Sequence, residues 1–234
     1  MAGRFVVRQH RGVPLGASGG WRYRNCVEDE VTPGSSRPPA FAHAAFDVVA
    51  FCASAGGFNA VRDVLAGLSA DFPAAIVVVQ HLDPRHRSVM AELLQRRSQL
   101  QIRQASATDV LQPGTVLIAP PDRHLLVNGD ASISLTQTEL VHFVRPSGDL
   151  LFESVAASYR DRSIAVVLSG TGQDGSRGTE AIKKVGGTVI VQDEASAEFW
   201  GMPNAAIRLG TADFILSIEE IAPTLQKLVT QTDE

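Results

Sequence analysis

The chain has 234 residues, 44% of them hydrophobic and 20% charged, which is enough apolar content for one large domain or two small ones. Its 21 Lys plus Arg stand against 25 Asp plus Glu, and a formal charge of -4 gives no electrostatic footprint for nucleic acid. Two cysteines, Cys26 and Cys52, without metal-finger or CxxC spacing indicate neither a disulfide framework nor a zinc site, and no apolar run approaches the roughly 18 residues of a membrane helix, so a cytoplasmic protein without membrane insertion is expected.

Residues 1–45 are rich in Gly, Pro, Ser and Arg, and the run Thr32-Pro33-Gly34-Ser35-Ser36-Arg37-Pro38-Pro39 resists regular structure. They read as a low-order N-terminal extension, the lesser alternative being a strand through Phe5-Val6-Val7 added to the main sheet. Over 46–234 strands and helices alternate, which implies an α/β fold: a doubly wound, mostly parallel sheet with helices on both faces. A strand over 47–51 precedes a helix with Phe58, Val61, Leu65 and Leu68 at helical spacing. A buried strand over 75–79 and a helix over 88–97 follow. Between 110 and 144 short strands at 115–119, 125–127 and 133–135, with Asn128-Gly129-Asp130 as a hairpin signal, predict a short antiparallel extension. The β-α rhythm then returns with a helix over 150–159, a strand over 164–168 and a helix over 175–185. Strands at 188–192 and 214–216 and helices at 202–208 and 218–229 complete it.

Three polar motifs each follow a predicted parallel strand: Ala53-Ser54-Ala55-Gly56-Gly57, Gln80-His81-Leu82-Asp83-Pro84, and Ser169-Gly170-Thr171-Gly172-Gln173-Asp174-Gly175. The carboxyl ends of such strands line one edge of the sheet, where ligands bind, so Ser54, His81 and Asp174 can converge there. A serine hydroxyl is a weak nucleophile. It needs an imidazole to take its proton and a carboxylate to hold the imidazole in the right tautomer. The glycines after Ser54 let backbone N–H groups approach a developing oxyanion at a helix start, so acyl transfer is the chemistry this set serves best.

Plainer roles compete. Ser54 alone can be a helix N-cap or part of a phosphate-binding turn, although Phe58-Asn59-Ala60 supplies neither a P-loop lysine nor GxGxxG. His81 alone can be structural, and Asp174 can cap the next helix. Among rival histidines, His86, His124 and His142 end no clear parallel strand, and His10 and His43 belong to the extension. Asp193, after the strand ending at Gln192, is the second candidate for the orienting carboxylate, ahead of Asp83, Asp122 and Asp149, which read as turn or cap residues. Cys52-Ala53-Ser54-Ala55-Gly56 nearly matches G-x-S-x-G, but the order Ser, His, Asp departs from the α/β-hydrolase order. Gly16-Ala17-Ser18-Gly19-Gly20 follows no convincing strand, so Ser18 is set aside.

The stretch 47–229 resembles the catalytic domain of the chemotaxis receptor protein-glutamate methylesterases, the CheB type. The resemblance rests on the three motifs above together with Pro113-Gly114, Ala119-Pro120-Pro121, Arg145-Pro146-Ser147, Leu151-Phe152, Gln192-Asp193-Glu194 and Gly201-Met202-Pro203. It implies Ser54 as nucleophile, His81 as base and Asp174 as its orienting acid. Ala55, Gly56, Thr171, Gly172 and Met202 then form the oxyanion and substrate-binding surroundings, with Asp193 and Glu194 near the substrate channel. It further implies a methylated chemoreceptor-like partner, release of methanol from glutamate γ-methyl esters, a related glutamine deamidation, and no metal or organic cofactor. Members commonly carry Gly, Thr and Met where this chain has Cys52, Ala55 and Thr171, and the typical enzyme has a receiver domain where only about 45 residues precede Asp47 here, so phosphorylation control within the chain is not expected. A serine esterase for another ester, and an inactive binding module of the same fold, are the alternatives.

Overall fold

The computed structural model describes residue 38 and residues 40–83, 85 and 87–230. In chain order the elements are β1 (Val48–Ala53), α1 (Gly57–Ala66), β2 (Ala75–Gln80), α2 (Met90–Gln95), β3 (Gln101–Gln104), β4 (Thr115–Ile118), β5 (His124–Val127), β6 (Ile133–Thr136), α3 (Gly148–Tyr159), β7 (Ser163–Val167), α4 (Ser176–Lys184), β8 (Thr188–Gln192), α5 (Gly201–Arg208), β9 (Phe214–Leu216) and α6 (Ile218–Thr230). Seven strands form one sheet in the order β3-β4-β2-β1-β7-β8-β9, and each neighbouring pair is parallel. β5 and β6 pair antiparallel as a separate hairpin.

Side chains alternate across a strand, so β1 divides its apolar residues between two cores. Val49, Phe51 and Ala53 pack with Val61 and Leu65 of α1, Leu94 of α2 and Ile221 and Leu225 of α6. Val48, Ala50 and Cys52 pack on the opposite face with Leu151 and Phe152 of α3, Ile182 of α4 and Ala206 of α5. All six residues of β1 and of β2 are buried, which is why these strands read as continuous apolar runs.

The doubly wound sheet with helices on both faces agrees with expectation, and two details differ. The spacing of short strands places 115–119 in the antiparallel extension, yet β4 joins the main sheet between β2 and β3. Its four residues are all buried, as a strand covered on both faces requires. β3 carried no strand expectation, because Gln-Ile-Arg-Gln at a sheet edge buries only Ile102. Ser18, Cys26, His10, His86 and the alternative strand through Phe5-Val6-Val7 lie outside the described residues. Residues 44–47 bond to the domain: Ala45 N–H donates to Val229 O at 2.9 Å, and the Arg162 guanidinium grips the Asp47 carboxylate at 2.6 and 2.7 Å and Ala44 O at 2.7 Å.

From β1 the chain winds toward β2, and from β7 it winds the other way toward β8. The strand order therefore reverses between β1 and β7, and a crevice opens outside their carboxyl ends. No described helix is long and apolar enough to cross a membrane.

Candidate active site

Parallel pairing brings the first two motifs side by side. Ala53 is in register with Gln80, so Ser54 and His81 are the next residues on adjacent strands, and His81 N–H donates to Ala53 O at 3.1 Å. The buried Gln80 side chain donates to the carbonyls of both Ser54 (2.7 Å) and His81 (3.2 Å), fixing the two strand ends against each other. Across the switch point Ser54 N–H donates to Ser169 O at 3.0 Å. Gly170 follows, and a Cβ there would meet Ser54 Cβ at 2.9 Å and collide with Met202 Sδ. Only glycine lets the third motif approach this closely.

The His81 Nε2 atom meets Asp174 Oδ2 at 2.9 Å, with the carboxylate 2% and the imidazole 13% exposed. Asp174 also accepts from Ser147 Oγ at 2.7 Å, Gly148 N at 2.5 Å and Asp149 N at 3.3 Å, so the first turn of α3 points its donors at this one carboxylate. Burial by itself would raise the Asp174 pKa, but the bonds from His81, Gly148 and Ser147 outweigh it and hold the carboxyl below its ordinary value. An ionised carboxylate only accepts, so Nε2 carries the proton and Nδ1 of a neutral imidazole keeps its lone pair free to act as base.

The plainer roles of these residues do not match the coordinates. The N-cap of α1 is Gly56, in left-handed conformation with φ 71°, and no side chain caps that helix, so Ser54 is not spent as a cap. The N-cap of α4 is Gly175 with φ 88°, again without a side-chain cap, and Asp174 faces α3 instead. Asp193 closes its own turn, accepting from Ser196 N at 3.0 Å and Ser196 Oγ at 2.6 Å. His124 lies buried on β5 with Nε2 at 3.0 Å from Glu139 O. His142 pairs with Asp149 at 3.1 Å.

Of the residues expected around Ser54, Met202 is fully buried against Gly170, Ala55 and Gly56 are half-buried, and Thr171 and Gly172 are exposed. Among the described residues neither Ala55 N–H nor Gly56 N–H has a protein acceptor, which leaves both as donors for an oxyanion. Sequence reasoning missed the scaffold beneath them. Ser169 Oγ donates to Ala55 O at 2.8 Å and accepts from Phe199 N at 3.0 Å, while Gln192 Oε1 accepts from Ser169 N at 2.8 Å. It also missed Ser147 and Gly148, whose convergence on Asp174 joins segments 26 or more residues apart.

Cys52 Sγ, His81 and Asp174 place donor atoms within 4.8 Å of one another. Burial, then the negative charges of Asp174 and Asp149, push the Cys52 thiol well above its ordinary pKa. The thiol therefore stays protonated and faces Asp174 as a weak donor. A surface cavity of about 390 Å³ lined by Arg87, Ala91, Gln95, Ile102 and Arg103 shares no residue with this cluster.

The chain is similar to known proteins over most of its length. A protein-glutamate methylesterase/protein-glutamine glutaminase of Moorella thermoacetica is 44% identical over 188 residues, covering 79% of this chain and 44% of that protein. A second, from Caulobacter vibrioides, is 40% identical over 181 residues, covering 76% and 52%. The chain thus spans about half the length of these curated relatives. A putative protein-glutamate methylesterase/protein-glutamine glutaminase of Leptospira interrogans is 37% identical over 183 residues and is covered over 95% of its length. Among solved structures, the CheB methylesterase catalytic domain of Thermotoga maritima superposes with a TM-score of 0.76 at 35% identity, over 79% of this chain and 99% of that one. The CheB methylesterase family model matches residues 49–225, which hold Ser54, His81, Asp174 and all nine strands except the first residue of β1, and the chain belongs to that family.

Proposed function

We propose that the protein is a serine hydrolase that removes methyl groups from glutamate γ-methyl esters on a chemoreceptor-like protein in the cytoplasm. Ser54 Oγ attacks the ester carbonyl while Nδ1 of His81 takes its proton, and Asp174 steadies the imidazolium that results. The oxyanion is met by the Ala55 and Gly56 amides. Collapse of the tetrahedral species breaks the bond to methoxide, which leaves as methanol with the proton from His81, and a glutamyl ester of Ser54 remains. Water, deprotonated by His81, then cleaves that ester to glutamate and free Ser54.

The observation that carries this reading is the 2.9 Å contact between His81 Nε2 and Asp174 Oδ2, made by an imidazole that follows its strand in register with Ser54. The names of the relatives favour the methyl ester, and those names also extend the reading to glutamine side-chain amides. Backbone amides and a triad need no metal or organic cofactor. The test is methanol release from methylated receptor, with small aryl esters alongside. Release from receptor that is lost in Ser54→Ala supports the reading; turnover of aryl esters with none from receptor would assign the site to another ester.

A further inference from the structure

Behind Asp174 stands a second buried acid that the triad does not use. Asp149 is 3% exposed and lies in the first turn of α3. Its Oδ1 accepts from Gly178 N on α4 at 2.8 Å, its Oδ2 meets His142 Nε2 at 3.1 Å, and its own amide donates to Asp174 Oδ1 at 3.3 Å. Asp149 is thereby tied to α4, to Asp174 and to the turn that carries His142.

That turn is held in a costly shape. His142 and Phe143 both take left-handed φ, 49° and 65°, between Val141 and Val144, which exchange both backbone bonds at 3.2 and 2.9 Å. Two-residue turns of this kind favour Asn-Gly, and a side chain at each left-handed position costs roughly 1–2 kcal/mol. The shape delivers the His142 imidazole to Asp149.

We propose that Asp149, pinned by His142 and the Gly178 amide, is a positioning residue of the hydrolytic site: it holds the first turn of α3 so that Ser147, Gly148 and its own amide converge on Asp174, and it adds a second negative charge behind the carboxylate facing His81. The inference rests on the triad reading above. Two like charges in one buried site oppose each other, and burial followed by the Asp174 charge raises the Asp149 pKa. A purely structural side chain would be better served by a neutral amide of the same shape. The groups facing Asp149 are Asp174 ahead of α4, His142 on the turn, Cys52 on β1 and Glu153 one turn along α3, with Arg177 of α4 beside Glu153. The charge that Asp149 contributes acts when an imidazolium forms on His81, because a second negative charge in a poorly solvated site stabilises it.

The experiment is the rate of Ser54 labelling by a fluorophosphonate as a function of pH, read with thermal stability. Asn in place of Asp149 can keep both side-chain bonds and loses only the charge. Asp149→Asn should therefore melt at the wild-type temperature or above, label about tenfold more slowly, and shift the acid limb of its profile to lower pH by roughly half a unit. His142→Ala should label several-fold more slowly, and His142→Gln, which restores a donor, should recover most of the loss. An Asp149→Asn protein that labels at the wild-type rate with an unmoved acid limb would overturn the proposal, as would a lowered melting temperature with an unchanged rate per folded molecule. If Asp149→Asn fails to fold, the His142 pair decides, and His142→Ala labelling like wild type overturns it. Wild-type protein that folds but never labels at Ser54 would sink the triad reading itself, which is a different failure.

Discussion

The Gly148 amide donates at 2.5 Å to Asp174 Oδ2, the same oxygen that meets His81 Nε2 at 2.9 Å. Position 148 also packs tightly on β1, since a Cβ there would overlap Cys52 Sγ and stand 2.8 Å from Cys52 Cβ. Gly148→Ala must push the helix start away from the strand and pull its amide off Asp174. We expect a loss of about 1–3 kcal/mol in denaturant-unfolding stability from overpacking and a fall of about a hundredfold in ester turnover from misplacement. Cys52→Gly in the same chain removes the obstacle, and the double variant should recover much of both, a coupling that a double-mutant cycle reads directly.

Asp174→Asn keeps the shape of the site but offers an amide where the imidazole needs an acceptor. Turnover should fall by about 10⁴ with the fold intact by circular dichroism. The Asp193 carboxylate accepts from Ser196 and does not meet His81, so Asp193→Asn should change stability by less than about 1 kcal/mol and spare ester turnover. The reverse ranking would move the orienting carboxylate to Asp193.

Two buried carboxylates with opposite shifts give stability a distinctive pH profile. The folded-state pKa of Asp149 is raised above its ordinary 3.8, so the folded protein takes up that proton first and gains stability as pH falls through the raised value toward 3.8. The folded-state pKa of Asp174 is held below 3.8, so its contribution is present above that value and is lost as pH falls further. The pair's combined contribution should peak near the ordinary carboxylate value. Urea midpoints measured against pH for wild type, Asp149→Asn and Asp174→Asn should show the first variant lacking the rise and the second lacking the fall.

Tyr159 is 1% exposed, and its hydroxyl has no hydrogen-bond partner among the described residues. Burial, with the charges of Asp47 and Asp130, pushes its pKa upward, so the hydroxyl stays neutral. Tyr159→Phe removes a desolvated polar atom and keeps the ring packed, and it should raise unfolding stability by about 0.5–1 kcal/mol.

Much of this architecture was legible because β1, β2, β7 and β8 are apolar runs covered on both faces, each ending where a polar or glycine-rich motif begins. That pattern was enough to bring Ser54, His81 and Asp174 to one sheet edge. β3 was invisible because an edge strand need bury only one side chain, and β4 was misassigned because four residues between turn signals do not declare their partner. The support of Asp174 by α3 and the His142–Asp149 pair could not be read from spacing, since both depend on how α3 packs against α4 and β1. A local signal did exist at Ser147, which precedes the helix as an N-cap and accepts from Leu150 N while donating to Asp174.

In the proposed mechanism Ser54, at the β1 edge, is a nucleophile activated by His81. Peptide mass mapping after fluorophosphonate treatment tests it most directly. A single adduct on Ser54, absent in Ser54→Ala and suppressed in His81→Gln, is the predicted result. An adduct that persists in Ser54→Ala, or a folded wild-type protein that takes up no probe, would contradict it.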